Sequence, residues 1–372
     1  MRRSLLLFLA LAGISLHAQA QTLTPSATAS LLTCGPGADF YTSFGHSALR
    51  ITDTALGLDL VYNYGCFDFN TPHFYWRFTR GSLDYCLCRT TMADFLADYQ
   101  SEGRYVYQQH LNLTPHEVSN LFLLLETNYL PDYRYYRYDI LRDNCATRLR
   151  DAITAACGAN PPRFADTLAP ALSYRQLLHR STADSLLWWQ LGYDLLLGIN
   201  ADHRCTPSEA MFHPLAMQAI VAQSRRASAP LAAPSQLLTP ATRTPLHRSF
   251  PPLVATTLLF LAVALLTWRC PRLLWLDRTL FTLAGIAGLF LLFMWFGTSH
   301  YCTGWNLNIL WLSPLLLLVA IRLGHSPRWA LWLQEAAFAA AAVWVLACGL
   351  SIAIFPLILT LALRTAIQFK RP

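Results

Sequence analysis

Apolar positions along the chain change their spacing near residue 250. Before it they alternate with polar positions or recur at helical intervals in short runs; from Pro251 onward they merge into runs of roughly 17 to 25 residues, long enough to cross a bilayer. In the first part, His46-Ser47-Ala48-Leu49-Arg50-Ile51 and Asp59-Leu60-Val61-Tyr62-Asn63-Tyr64 predict two strands joined by a loop containing Gly57, with further strands around 83–89 and 104–111. Thr114-Pro115-His116-Glu117 combines a hydroxyl cap, a first-position proline and a capping-box glutamate, predicting a helix that runs to about Asn128. Asp143-Asn144-Cys145 places caps ahead of Ala146-Thr147-Arg148-Leu149-Arg150-Asp151 and predicts a second helix. Residues 224–250, rich in Pro, Ala, Ser and Arg, read as a linker, and no internal repeat is visible.

In the second part, spans are predicted near 251–267, 279–297, 306–321, 329–347 and 351–368. As one helix, 329–364 would be about 54 Å long, so a hairpin near Gly349-Ser351 is the better reading. Arg269, Arg272 and Arg278 fall between spans one and two, Arg322 and Arg328 between three and four, and Lys370-Arg371 after span five, whereas the other loops carry no Lys or Arg. This charge bias predicts a domain outside the cytoplasmic membrane and a C-terminus in the cytoplasm. The chain start agrees: Arg2-Arg3, an apolar run from Leu5 to Leu16 and Ala18-Gln19-Ala20 have the order of a secretory signal peptide. The expected organisation is a signal peptide over 1–20, an extracytoplasmic domain over 21–223, a linker over 224–250 and a transmembrane domain of about five helices over 251–372.

Composition supports this division. Of the 372 residues 54% are hydrophobic and 13% charged, against about 25% charged in an ordinary soluble domain. The net charge of +7 comes without basic clusters or stacking motifs, which argues against nucleic acid as a partner. Seven cysteines precede the spans: Cys34, Cys66, Cys86, Cys88, Cys145, Cys157 and Cys205. An odd number in an oxidising compartment leaves at least one free thiol. Cys86 and Cys88 would share one side of a strand, but no second His or Cys pair stands at metal-like spacing, so neither a metal nor another cofactor is expected.

Candidate chemistry centres on Cys145. A cysteine in the first turn of a helix faces unpaired N–H groups and the helix dipole, which favour thiolate. His46, opening a strand after Phe44-Gly45, is the candidate base. If the hairpin turns near residues 55–56, paired positions sum to about 111, which sets Asn63 opposite Ala48 and diagonal to His46 on one face. Asn63 could then orient the imidazole, with Tyr64 and Asp68 as alternatives. Taken singly, each residue has a plainer reading: a buried small hydrophobe for Cys145, a core histidine for His46, a strand-end amide for Asn63.

Phe44-Gly45-His46, the Val61-Tyr62-Asn63-Tyr64-Gly65 strand ending in Phe67-Asp68-Phe69, and Asp143-Asn144-Cys145-Ala146-Thr147-Arg148-Leu149-Arg150-Asp151 resemble the periplasmic domain of the Lnb-type lipoprotein N-acyltransferases. Thr298-Ser299-His300, Asn306-Leu307-Asn308 and Ser313-Pro314 resemble that family's membrane portion. The resemblance implies an α+β, circularly permuted papain-like domain with histidine ahead of cysteine, distantly related to lecithin:retinol acyltransferase and cell-wall cysteine peptidases, followed by an all-α bundle. It implies Cys145 as nucleophile and His46 as base; Asn63 as the third residue rests on the register, and Asn144, Arg148, His300, Asn306 and Asn308 are the candidate substrate-contacting groups. The implied reaction moves an acyl chain from a phospholipid or lipoprotein glycerolipid, through a thioester, to the N-terminal amine of a lipoprotein. Two other classes fit the residues alone: a cell-wall cysteine peptidase and a non-catalytic, membrane-anchored binding protein.

Overall fold

The computed structural model describes residues 22–37, 39–166, 171–182, 186–242 and 250–369. The expected signal peptide lies outside them. The first part is built on one antiparallel sheet of seven strands: β1 (Thr28–Cys34), β2 (His46–Asp53), β3 (Leu58–Cys66), β4 (Asp84–Thr91), β5 (Val106–His110), β6 (Tyr135–Arg137) and, after a two-stranded ribbon of β7 (Arg225–Arg226) and β8 (Ala229–Pro230), β9 (Gln236–Thr239). Their order across the sheet is β6-β4-β3-β2-β1-β5-β9. The period-2 alternation of β2 and β3 sends its two apolar sets to two cores. Leu49, Ile51, Tyr62 and Tyr64 face the larger one. Ala48 and Val61 face the smaller one, against Met92 and Phe95.

Helices are interleaved with these strands along the chain: α1 (Phe74–Thr79) between β3 and β4, α2 (Met92–Glu102) between β4 and β5, α3 (Pro115–Tyr129) between β5 and β6, and α4 (Cys145–Ala156), α5 (Tyr174–Thr182) and α6 (Leu187–Leu196) after β6. A four-residue turn, α7 (Pro207–Ala210), and α8 (Pro214–Gln223) complete the domain. α3 and α4 cover the larger face, and each start is fixed by side chains. Thr114 and Glu117 form a reciprocal capping box, as do Asn144 and Thr147, satisfying amides that have no partner within the helix.

The stretch expected as a linker departs from that reading. Residues 224–242 pack on the domain, and β9 pairs with β5 as the outermost strand of the sheet. Backbone groups make those contacts, so they leave little trace in side-chain patterning.

The helical part begins with α9 (Pro252–Arg269) and α10 (Leu274–Phe296), continues through short turns to α11 (Leu315–Ile321), and ends with α12 (Arg328–Ala347) and α13 (Ile354–Gln368). Among the described residues three helices, α9, α10 and α12, are long and apolar enough to cross a membrane; a fourth span arises if Tyr301–Leu310 and Leu315–Ile321, which bend by 41°, are taken together. The span expected at 306–321 is therefore interrupted, at Ser313-Pro314, where proline removes a backbone donor. α13 is a 15-residue apolar helix, shorter than the predicted fifth span.

The two loops without Lys or Arg are those that touch the sheet domain. The Ser299 N–H donates to the Arg80 carbonyl at 3.0 Å and the Gly198 N–H to that of Cys302 at 2.8 Å, and the Ser351 N–H donates to Asp194 Oδ2 at 2.7 Å. Gly198 is pressed so closely on the Gly304 carbonyl that a Cβ would collide with it. Behind this seam, Arg175 is fully buried between Asp194 (3.0 Å) and Asp202 (2.6 Å). Deep in the bundle, Arg364 on α13 pairs with Asp277 on α10 at 2.5 Å and donates to Thr267 on α9 at 2.8 Å. Buried charges persist where each has a partner, and this one ties three helices together.

Candidate active site

β2 and β3 pair from Leu49↔Tyr62 to Asp53↔Leu58, in the register that sums to 111, and their other ends part beyond Leu49 and Tyr62. His46 and Asn63 stand in that opening. Asn63 Oδ1 lies 3.1 Å from His46 Nε2, so Nε2 carries the proton it donates and Nδ1 is left with a lone pair. The alternatives are elsewhere: the Tyr64 hydroxyl accepts from Asn128 Nδ2 at 2.8 Å, and Asp68 is exposed in a turn closed by Thr71.

Cys145 is the first residue of α4, and Asn144 caps the helix, accepting from the N–H groups of Ala146 (2.9 Å) and Thr147 (3.0 Å). Cys145 and His46 line one cavity of about 470 Å³. Gly65 stands beside Cys145. Its φ of +95° is a glycine conformation, and a Cβ there would sit 3.7 Å from the Cβ of Cys145. The expectation of a ready thiolate needs correction. Burial pushes the Cys145 thiol up to about 11, outweighing the backbone N–H groups of Ser47, Ala146 and Cys145 that pull it down. Burial likewise holds His46 down at about 4, against the Asn63 hydrogen bond that raises it. Both shifts favour the uncharged forms of Cys145 and His46.

The expected substrate-contacting residues divide. His300 lines the cavity and directs Nε2 at the Phe78 carbonyl, 3.0 Å away. Asn144 also reaches the cavity, but its amide is fully engaged: Oδ1 accepts twice, and Nδ2 donates to the Ile140 (2.7 Å) and Phe212 (2.9 Å) carbonyls. Arg148 grips Asp143 with two hydrogen bonds and lies 3.6 Å over the Tyr136 ring. Asn306 and Asn308 do not reach the cavity; their amides donate to the carbonyls of Leu195, Leu196 and Asp194 and so hold the end of α6 against the membrane part.

Tyr136 was not foreseen. Its hydroxyl is buried with no hydrogen-bond partner among the described residues and lies 4.0 Å from the position a Cβ on Gly65 would take. A lone tyrosine in a three-residue strand gives no signal in the sequence. The cysteines are all free thiols, including a cluster in which Cys86 Sγ and Cys88 Sγ are 3.8 Å apart. Among the described residues no group of His, Cys, Asp or Glu is arranged to hold a metal ion.

Residues 16–180 match the family model of the Lnb N-terminal periplasmic domain, and residues 244–371 match that of the Lnb transmembrane domain. No curated protein and no solved structure matches the chain.

Proposed function

The chain belongs to the Lnb family, and on that premise we propose that it is a membrane-bound cysteine acyltransferase of lipoprotein modification. It is a membrane protein with a periplasmic domain, set in the inner membrane; the proposed topology has five passes and a cytoplasmic C-terminus. The observation that carries the reading is that His46 and Cys145 open into a cavity whose far wall, Met294, His300, Cys302 and Thr303, belongs to the membrane part.

In the proposed reaction Cys145 Sγ attacks an ester carbonyl of a glycerolipid while its proton passes to His46 Nδ1. Asn63, holding Nε2–H, fixes the tautomer that makes Nδ1 the acceptor. The backbone N–H groups around the sulfur and the Tyr136 hydroxyl face the developing oxyanion. Collapse breaks the ester C–O bond, the imidazolium returns the proton to the leaving alkoxide, and a lyso lipid departs. The α-amine of a lipoprotein then attacks the thioester, gives its proton to His46 and leaves as the amide, restoring the thiol. Asn144 and Arg148 serve this as scaffolding, the first by setting the helix start and the second by bracing Tyr136.

The papain-like reading rests on a cysteine at a helix start beside a sheet that carries the histidine and its amide partner. The membrane-built wall favours a lipid over a cell-wall peptide as first substrate. The test is mass spectrometry of the purified protein incubated with labelled phospholipid: a hydroxylamine-labile acyl adduct on Cys145 is expected. Its absence, with lipoprotein N-termini unchanged in cells lacking the protein, would overturn the proposal.

A further inference from the structure

α1 and the turn before it expose aromatic rings that a soluble surface would bury: Tyr75 is 79% exposed, and Trp76 and Phe69 are 57% exposed each. Their position accounts for this. Trp76 stacks on Phe293, at 5.8 Å and 20°, in the last turn of α10, with the Arg80 guanidinium 5.9 Å over its ring. Aromatic and arginine side chains at the end of a membrane helix occupy the lipid–water interface, so α1 lies at the edge of the outer leaflet. The Ser299 Oγ bonds to the Arg80 and Gly81 carbonyls, at 3.1 and 3.0 Å, clamp it there.

From this edge ring contacts run without a break to the nucleophile. Phe69 meets Phe74 at 4.9 Å, Phe74 meets Phe67 at 5.8 Å, Phe67 meets Tyr85 at 5.4 Å and Tyr85 stacks on Tyr138 at 4.5 Å. Tyr138 borders the Gly65 position next to Cys145, at 3.6 Å. Phe67, Tyr85 and Tyr138 line the cavity with Met294, and its volume of about 470 Å³ falls within the roughly 300–1,000 Å³ of small-molecule sites. The stretch between Phe67, Tyr85, Tyr138 and Met294 is built mainly of ring and thioether surface, which suits a hydrocarbon chain better than a run of peptide amides.

We propose that this aromatic seam is the channel by which one acyl chain of a phospholipid leaves the outer leaflet beneath α1 and reaches the cavity, carrying its ester to Cys145. The channel rests on the acyltransferase reading for its purpose, but its occupancy can be measured without any reaction. Full-length Cys145→Ala protein is reconstituted in vesicles of phosphatidylethanolamine and phosphatidylglycerol containing a phospholipid with a diazirine at the end of one chain, irradiated, digested and mapped. Adducts within 67–85 and at Met294 are expected, and Phe67→Trp, which narrows the seam, should lower them at least fivefold at unchanged thermal stability. Adducts confined to the lipid-facing sides of the long helices would overturn the channel, as would labelling of 67–85 that Phe67→Trp leaves intact in a folded protein. Because this protein cannot form a thioester, missing adducts count against the channel, whereas a missing acyl-enzyme in the wild type counts against the proposed reaction.

Discussion

The two ends of the β2–β3 hairpin are made from the same strands yet treat polar groups in opposite ways. At the closed end every charge is answered. Arg50 pairs with Asp59 at 2.7 Å and donates to Gln108 at 2.8 Å, and Thr28 and Thr52 share a hydrogen bond of 2.6 Å. Burial opposes ionisation of Asp53, but hydrogen bonds from Thr24 and Ala55 still hold its carboxyl below the usual range. At the open end burial holds His46 and Cys145 in their neutral forms, and the Ser47 and Tyr136 hydroxyls are buried without partners among the described residues, although the Arg104–Glu102 ion pair stands on the same cavity wall. Unmet hydrogen-bonding capacity costs stability, and proteins concentrate such cost where groups must exchange partners during a reaction. The closed end anchors the hairpin; the open end carries the groups of the proposed reaction.

The sharpest way to break this comparison is to remove the groups of the open end. Cys145→Ala and His46→Ala should each abolish acylation with expression and membrane insertion intact; wild-type activity in either would show the opening to be inert. Tyr136→Phe should lower kcat about 10²-fold, as loss of an oxyanion donor does, with little change in KM or thermal stability. An unchanged kcat would assign that hydroxyl no part in the chemistry. Asn63→Ala should cost less, about tenfold, by freeing the imidazole to rotate. At the closed end, Arg50→Ala should leave turnover untouched and lower stability by about 1 kcal/mol or less, as for a half-exposed ion pair.

Acid sharpens the same contrast. His46 stays neutral in the folded protein until about pH 4, so the acylation rate should hold through neutrality and fall along an acid limb near that value. In the unfolded chain this histidine takes its proton near 6.5. Its contribution to stability is therefore lost as pH drops from about 6.5 to about 4, because the unfolded state alone binds the proton. A rate that instead falls through pH 6.5 would mean a solvated imidazole.

Local chemistry carried much of this into the sequence. The register of His46 and Asn63 follows from one turn position and a period of two, and the start of α4 follows from Asn144 and Thr147. What stayed hidden depends on distant partners. β9 joins the sheet through backbone groups, the bend at Ser313-Pro314 interrupts an unbroken apolar run, and Asn306 and Asn308 look like loop polarity until α6 ends against them. The state of Cys145 shows the same limit: the helix dipole is legible in sequence, while the burial that outweighs it is not.

The contacts between α6 and the membrane part have a mechanical meaning. Asp194 on α6 pairs with Arg175 on α5 within the sheet domain and accepts the Ser351 N–H of the membrane part, while the Asn306 and Asn308 amides hold the end of the same helix. The periplasmic domain is thus fastened to the membrane part instead of swinging on a leash. In the proposed reaction an acceptor would have to bring its amine up to that fixed site, so the length of slack between a client's own lipid anchor and its first folded residue would decide whether it can be served.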